Sequence, residues 1–277
     1  MSVPTIIFLG ALAGLTIFLG LPFARLKNLS ATVKGLVTAL ATGVLLYLLT
    51  DVTSKMLEPI AEVFTRTMSA GSARLEGLGE LGLLVVGLSL GLVGIVALTH
   101  RFQKGAHPAP SGTPAKTAQA QTPASIAEIR PETLSLIIAI GIGAHNLSEG
   151  LAIGQAAASG SLQLAWLLIL GFGLHNLTEG FGIAGPLSGR PVSWKFLGAL
   201  GLIGGGPTFW GTVLGISFHS PELFVFSLAF AAGAILYVVM ELLGAARRYS
   251  RLVVAVGLLA GFLLGLGTDF LLTLAGA

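Results

Sequence analysis

The sequence predicts an all-α integral membrane protein of eight transmembrane helices, a single membrane domain over residues 1–277, and three observations carry that expectation. Hydrophobic residues fill 54% of the chain and charged residues only 10%, giving a mean hydropathy of +0.90, a balance suited to lipid rather than to a compact soluble monomer. Apolar stretches long enough to cross a hydrocarbon core about 30 Å thick, about 20 residues each, recur along nearly the whole length. The period-two alternation of a spanning β-strand is absent. The 39 glycines fit the same picture, since membrane helices use small residues to bring backbones close.

Breaks of charge or of proline and serine divide the chain into eight expected spans: 3–24, 32–57, 79–99, 131–158, 162–185, 194–217, 221–244 and 250–274. The first has no basic residue ahead of it and reaches spanning length, so it reads as a retained helix rather than a cleaved signal. Orientation follows from the basic residues. Arg25, Lys27, Lys34, Arg101, Lys104, Lys116, Arg130, Arg190, Lys195, Arg247, Arg248 and Arg251 fall on one set of connections, and Lys55, Arg66 and Arg74 on the other. The positive-inside rule then places both termini outside, extracellular or periplasmic, in a multi-pass protein of the cell (inner) membrane. The same asymmetry accounts for the net charge of +3 without a nucleic-acid partner. Trp166 and Trp194 fall at expected lipid interfaces.

Residues 101–129 form an expected flexible cytoplasmic loop between the third and fourth spans, rich in Pro, Ala, Ser, Thr and Gln and too poor in apolar side chains to offset ordering entropy. His100 and His107 at its start read as solvated side chains.

The chemistry lies in a repeat. The fourth span carries His145-Asn146-Leu147-Ser148-Glu149-Gly150 and the fifth His175-Asn176-Leu177-Thr178-Glu179-Gly180, differing only at Ser148 against Thr178. Both copies fall near the midplane of adjacent antiparallel helices, so they can face each other. A spacing of four stacks His and Glu on one helix face, about one turn apart. Two such pincers offer two imidazoles and two carboxylates, a donor set suited to zinc, iron, manganese or cadmium. With no cysteine in the chain, thiolate ligation is excluded. Asn146 and Asn176 can support the carboxylates by hydrogen bonds or act as weak ligands. An ionisable group at the bilayer centre costs roughly 2.5 to 3.5 kcal/mol on insertion scales, which argues against an idle pair of glutamates. The competing structural reading is a polar network that only ties the two helices together.

These motifs resemble the ZIP family of metal-ion transporters, whose fourth and fifth helices carry HNxxEG-type sequences; eight helices, external termini and a long loop between helices 3 and 4 match as well. The resemblance implies a bundle with helices 1–3 and 6–8 as pseudosymmetric repeats around helices 4 and 5. It implies that His145, Glu149, His175 and Glu179 bind a transported divalent metal ion, Zn2+ or Fe2+ first and Cd2+ or Mn2+ next. It sets Asn146 and Asn176 beside any second metal, and Asp51 and Glu241 along the outer and cytoplasmic routes. Uptake by alternating access around a midplane site is the implied activity. The implied partners are the metal ion and the lipid bilayer, with a homodimer allowed.

Two departures qualify the match. Ser148 and Thr178 stand where the family often has a helix-kinking proline, which leaves bending to glycines or hydroxyl back-bonding. The sixth span presents Thr208, after Gly204-Gly205-Gly206-Pro207, where many members supply a glutamate for a two-metal centre, so a single-metal site is expected.

Among other residues, Glu222 after Pro221 reads as a helix N-terminal acid. Asp269 reads as solvated at an interface, Met56 and Met68 as packing, and His219 as an outer-loop residue. The rival from another class is an intramembrane zinc-dependent hydrolase with Glu149 or Glu179 as general base. The chain has no H-E-x-x-H motif, and four converging ligands leave little room for a reacting water.

Overall fold

A computed structural model describes residues 2–26, 29–67, 73–105, 130–158, 162–217 and 221–274. His107, His219, Met68 and most of the 101–129 loop therefore lie outside the described residues. Every regular element among those described is helical: α1 (Val3–Leu15), α2 (Ile17–Gly20), α3 (Ala31–Thr67), α4 (Ala73–Ser89), α5 (Ile95–Gly105), α6 (Pro131–Ala158), α7 (Leu162–Ala184), α8 (Trp194–Ser217), α9 (Pro221–Ala246) and α10 (Arg251–Leu274). Among the described residues seven helical stretches are long and apolar enough to cross a membrane: Val3–Arg25, Ala31–Glu58, Gly77–Arg101, Pro131–Ala158, Trp194–Ser217, Glu222–Ala246 and Arg251–Leu271. α7, the expected fifth span, is a 23-residue helix at its expected place.

Element ends depart from expectation where apolar length and helix length differ. α3 runs for 37 residues, about 55 Å at 1.5 Å per residue against a core of about 30 Å. Its last turns carry Glu58, Glu62 and Arg66 and continue the helix past the apolar stretch. The first span breaks at Thr16 between α1 and α2 and tightens into a 3-10 turn over Leu21–Arg25. The third span contains a π-helical turn, Leu90–Gly94, between α4 and α5. There Gly91 lies against Phe230 and Ala234 of α9, and an added Cβ would come 2.9 Å from the Ala234 nitrogen.

α6 is the central helix. Within its apolar window 72% of residues are buried, against 17% for Gly77–Arg101 and for Arg251–Leu271. α6 packs against α8, α9, α7 and α1, α3 packs against α10 and α9, and α4 against α9. Outward faces of the peripheral helices carry exposed large apolar residues such as Leu202, Trp210, Leu252 and Leu259. In water these would form an aggregating surface; in lipid they are the solvated one.

Glycine sets the closeness of the central packing. Gly150 of α6 sits on α8, where an added Cβ would fall 2.8 Å from the Thr212 nitrogen and 2.9 Å from the Gly211 Cα. Gly180 of α7 sits on α2, with Gly20 Cα 2.9 Å from the same construction. The glycines that end the two motifs are thus the points where α8 and α2 touch the motif helices.

Candidate metal centre

The His-to-Glu spacing of four works as helix geometry requires. On α6 the His145 Nε2 lies 3.1 Å from Glu149 Oε1, and on α7 the His175 Nε2 lies 3.8 Å from Glu179 Oε1. The two helices bring the pairs together: the imidazole centroids of His145 and His175 are 6.2 Å apart. One ligand atom from each of His145, Glu149 and His175 lies within 4.8 Å of the others, a spread that one ion can bridge. Glu179 is not part of that closest trio and joins it through His175.

The side chains are deeply enclosed. His145, Glu149 and Glu179 are buried, and the His175 side chain is 11% exposed. Burying two carboxylates without compensation is strongly unfavourable, so their partners matter. Six buried atoms of the motifs have no hydrogen-bond partner within the protein: His145 Nδ1, Asn146 Oδ1, Glu149 Oε2, His175 Nε2, Asn176 Oδ1 and Glu179 Oε1. All six can act as electron-pair donors, which is the character of a cation site rather than of a closed internal network.

The two asparagines anchor the motifs to the flanking helices. Asn146 Nδ2 donates to Glu179 Oε2 at 3.0 Å and to the Gly204 carbonyl of α8 at 3.0 Å. That carbonyl lies beside Pro207, whose missing N–H interrupts the α8 hydrogen-bond ladder. Asn176 Nδ2 donates to the Ala13 carbonyl of α1 at 3.1 Å, near the break at Thr16. Thr16 itself donates to the Gly173 carbonyl of α7 at 2.6 Å. Ser148 and Thr178 turn back onto their own helices, donating to the carbonyls of His145 and His175 at 2.6 and 2.7 Å, the back-bonding expected where proline is absent. Thr208 is fully buried and its hydroxyl has no partner.

Residues 97–272 match the family model described as ZIP zinc transporter. The chain belongs to the ZIP family. None of the curated proteins matches it. As a ZIP protein it is a multi-pass integral membrane transporter of divalent metal ions and not an enzyme, which disposes of the hydrolase alternative.

Asp51, expected along the outer route, pairs with Lys55 at 2.7 Å, one turn along α3. Lys55 Nζ stands 6.0 Å from the Phe172 ring centroid, one turn before His175. Sequence reading passed over Lys55, because one basic residue on the sparsely charged side carries no pattern until α3 is seen beside α7. Asp269 on α10 is partly buried. Glu241 lines a cavity of about 780 Å³ with several basic residues. Met56 is buried in the apolar core, and Glu222 occupies the first turn of α9, both as expected.

Proposed function

We propose that this ZIP protein carries Zn2+ or Fe2+ inward, with Cd2+ and Mn2+ chemically admissible, by alternating access around a site formed by His145, Glu149, His175 and Glu179. The observation that carries the reading is the convergence of lone-pair donors from two helices: three ligands with atoms within 4.8 Å and six buried donor atoms that no protein group satisfies. Asn146 and Asn176 hold the motifs in position through their amide groups and turn their carbonyl oxygens to the same problem. One metal is expected, because α8 contributes the neutral Thr208.

The architectural part of the proposal is an eight-span bundle, with α7 as the fifth span, both termini outside, and the whole in the cell (inner) membrane, with a homodimer as its assembly. The basic residues support the orientation. Contacts support pseudosymmetry: exchanging spans one and six, two and seven, three and eight, and four and five turns α4 on α9 into α10 on α3, and α6 on α9 into α7 on α3. The asparagine bonds obey the same exchange, since Asn146 reaches the sixth span and Asn176 the first. Both recipients lie beside helix interruptions, at Pro207 and Thr16, as in transporters that bind cargo at broken helices near the midplane. Asp51 supplies a polar group on the outer approach, and the connection that follows α5 lies on the cytoplasmic side.

Proteoliposome flux with zinc, iron, manganese and cadmium tests the reading. His175→Ala and Glu179→Ala are expected to lose transport of every metal the wild type carries; wild-type rates in both variants would defeat the site assignment.

A further inference from the structure

A cluster of basic residues lies away from the proposed metal ligands. A cavity of about 780 Å³ opens among the ends of α3, α6 and α9 and the turn after α7, and Lys34, Arg130, Arg190, Arg247 and Arg248 all line it. Glu241 is the one acidic residue in that lining. Five cations against one carboxylate make a chamber that would repel a divalent cation and attract an anion.

These cations are poorly neutralised by the protein itself. Among the described residues Lys34, Arg190 and Arg247 have no ion pair, and Arg130 has only a long contact with Glu132 at 3.9 Å. Arg248 is held by the Ala245 carbonyl at 3.0 Å and by the Tyr249 ring. Ser188 adds a buried hydroxyl with no hydrogen-bond partner. Its neighbour Gly189 adopts φ +78, and a Cβ there would stand 3.0 Å from Lys34 Nζ, so the turn lets the ammonium lie directly on the backbone. The amino end of α6, a 28-residue helix beginning at Pro131, also lines the chamber and adds its positive end.

We infer that this cavity is a binding site for a phosphate-bearing anion, held by Lys34, Arg130, Arg190 and Arg247 with Ser188 as hydroxyl donor. Guanidinium groups match phosphate oxygens in paired hydrogen bonds, and several converging on one chamber suit a phosphate better than a small halide. The volume admits a phosphomonoester or a lipid headgroup, and basic pockets between span ends are where anionic headgroups are captured. The anion would tie α3, α6, the α7–α8 turn and α9 together. This site is independent of the metal reading, because none of its residues is a proposed metal ligand.

The test uses the full chain. Native mass spectrometry and thermal melting compare nanodiscs of phosphatidylcholine with and without phosphatidylglycerol, and detergent-solubilised protein with inorganic phosphate or chloride at matched ionic strength. Retention and stabilisation by phosphatidylglycerol alone assign a headgroup; by inorganic phosphate, a soluble anion; either supports the site. The Arg190→Gln/Arg247→Gln variant is expected to bind about tenfold more weakly or worse, on the scale of charge-assisted hydrogen bonds lost. Glu241→Gln, which removes the competing carboxylate, is expected to bind more tightly and gives a reading even if the double variant does not fold. Arg251→Gln, an exposed basic residue on the same edge and outside the lining, is the control. Equal weakening by Arg251→Gln would reduce the effect to diffuse surface charge and overturn the site, as would no retention of phosphate in either form.

Discussion

Replacing Asn146 by alanine separates the support of the site from its ligands. The substitution removes two hydrogen bonds from one amide, to Glu179 Oε2 and to the Gly204 carbonyl, each 3.0 Å long. A bond to a charged acceptor contributes about 1.5 to 3 kcal/mol and a neutral one about 0.5 to 1.5 kcal/mol. Their sum, about 2 to 4.5 kcal/mol, is the scale of the expected loss of stability, and the two acceptors left buried and unpaired add to it. The part that bears on the metal is the freeing of Glu179, which can then swing from His175. Loss of a hydrogen bond that orients a ligand weakens metal affinity roughly 10- to 100-fold, about 1.4 to 2.7 kcal/mol. Calorimetric titration of the purified protein with Zn2+ or Cd2+ reads the affinity, and a melting curve reads the stability. Asn146→Ala binding metal within about twofold of wild type, in a folded protein, would refute the reasoning that this amide orients Glu179.

Lys55→Met removes a cation that lies against Phe172, one turn before the candidate ligand His175, and frees the Asp51 carboxylate. Metal affinity is expected to rise by about fivefold, the scale of a partly exposed charge interaction, and a weaker Kd in titration would contradict it. Gly150→Ala presses a methyl into the α8 backbone and is expected to destabilise by about 1 to 3 kcal/mol. Gly206→Ala, with nothing within 4 Å of its added Cβ, is expected to be neutral or stabilising, and comparing the two melting temperatures checks both. Acid is expected to weaken metal binding, since an imidazole ligand must be unprotonated; once the histidines protonate, the loss approaches about tenfold per pH unit for each. A Kd independent of pH through that range would argue against histidine ligation.

The candidate site was legible as far as its signal is local: a spacing of four fixes a helix face, and the repeated hexapeptide marks two helices that meet. The single-metal expectation likewise rests on one residue type, Thr208. What the sequence withheld depends on which helices become neighbours. Nothing local to Asn146 or Asn176 says that they reach carbonyls on α8 and α1, and nothing around Lys55 says that it faces α7. The basic chamber draws on four separate segments, whose arginines read along the chain only as an orientation signal. The helix overrun at Glu58–Thr67 and the π-turn at Leu90–Gly94 escaped because hydropathy reports where lipid begins and ends, not where backbone hydrogen bonding stops.

X-ray absorption at the zinc edge, on zinc-loaded protein in lipid, addresses the joint clasp most directly. Two imidazoles from different helices and carboxylate oxygens predict a shell of nitrogen and oxygen at about 2.0 to 2.2 Å with outer scattering from two rings, reduced to one ring in His145→Ala or in His175→Ala. A shell with no imidazole scattering, or one unchanged by both substitutions, would contradict it.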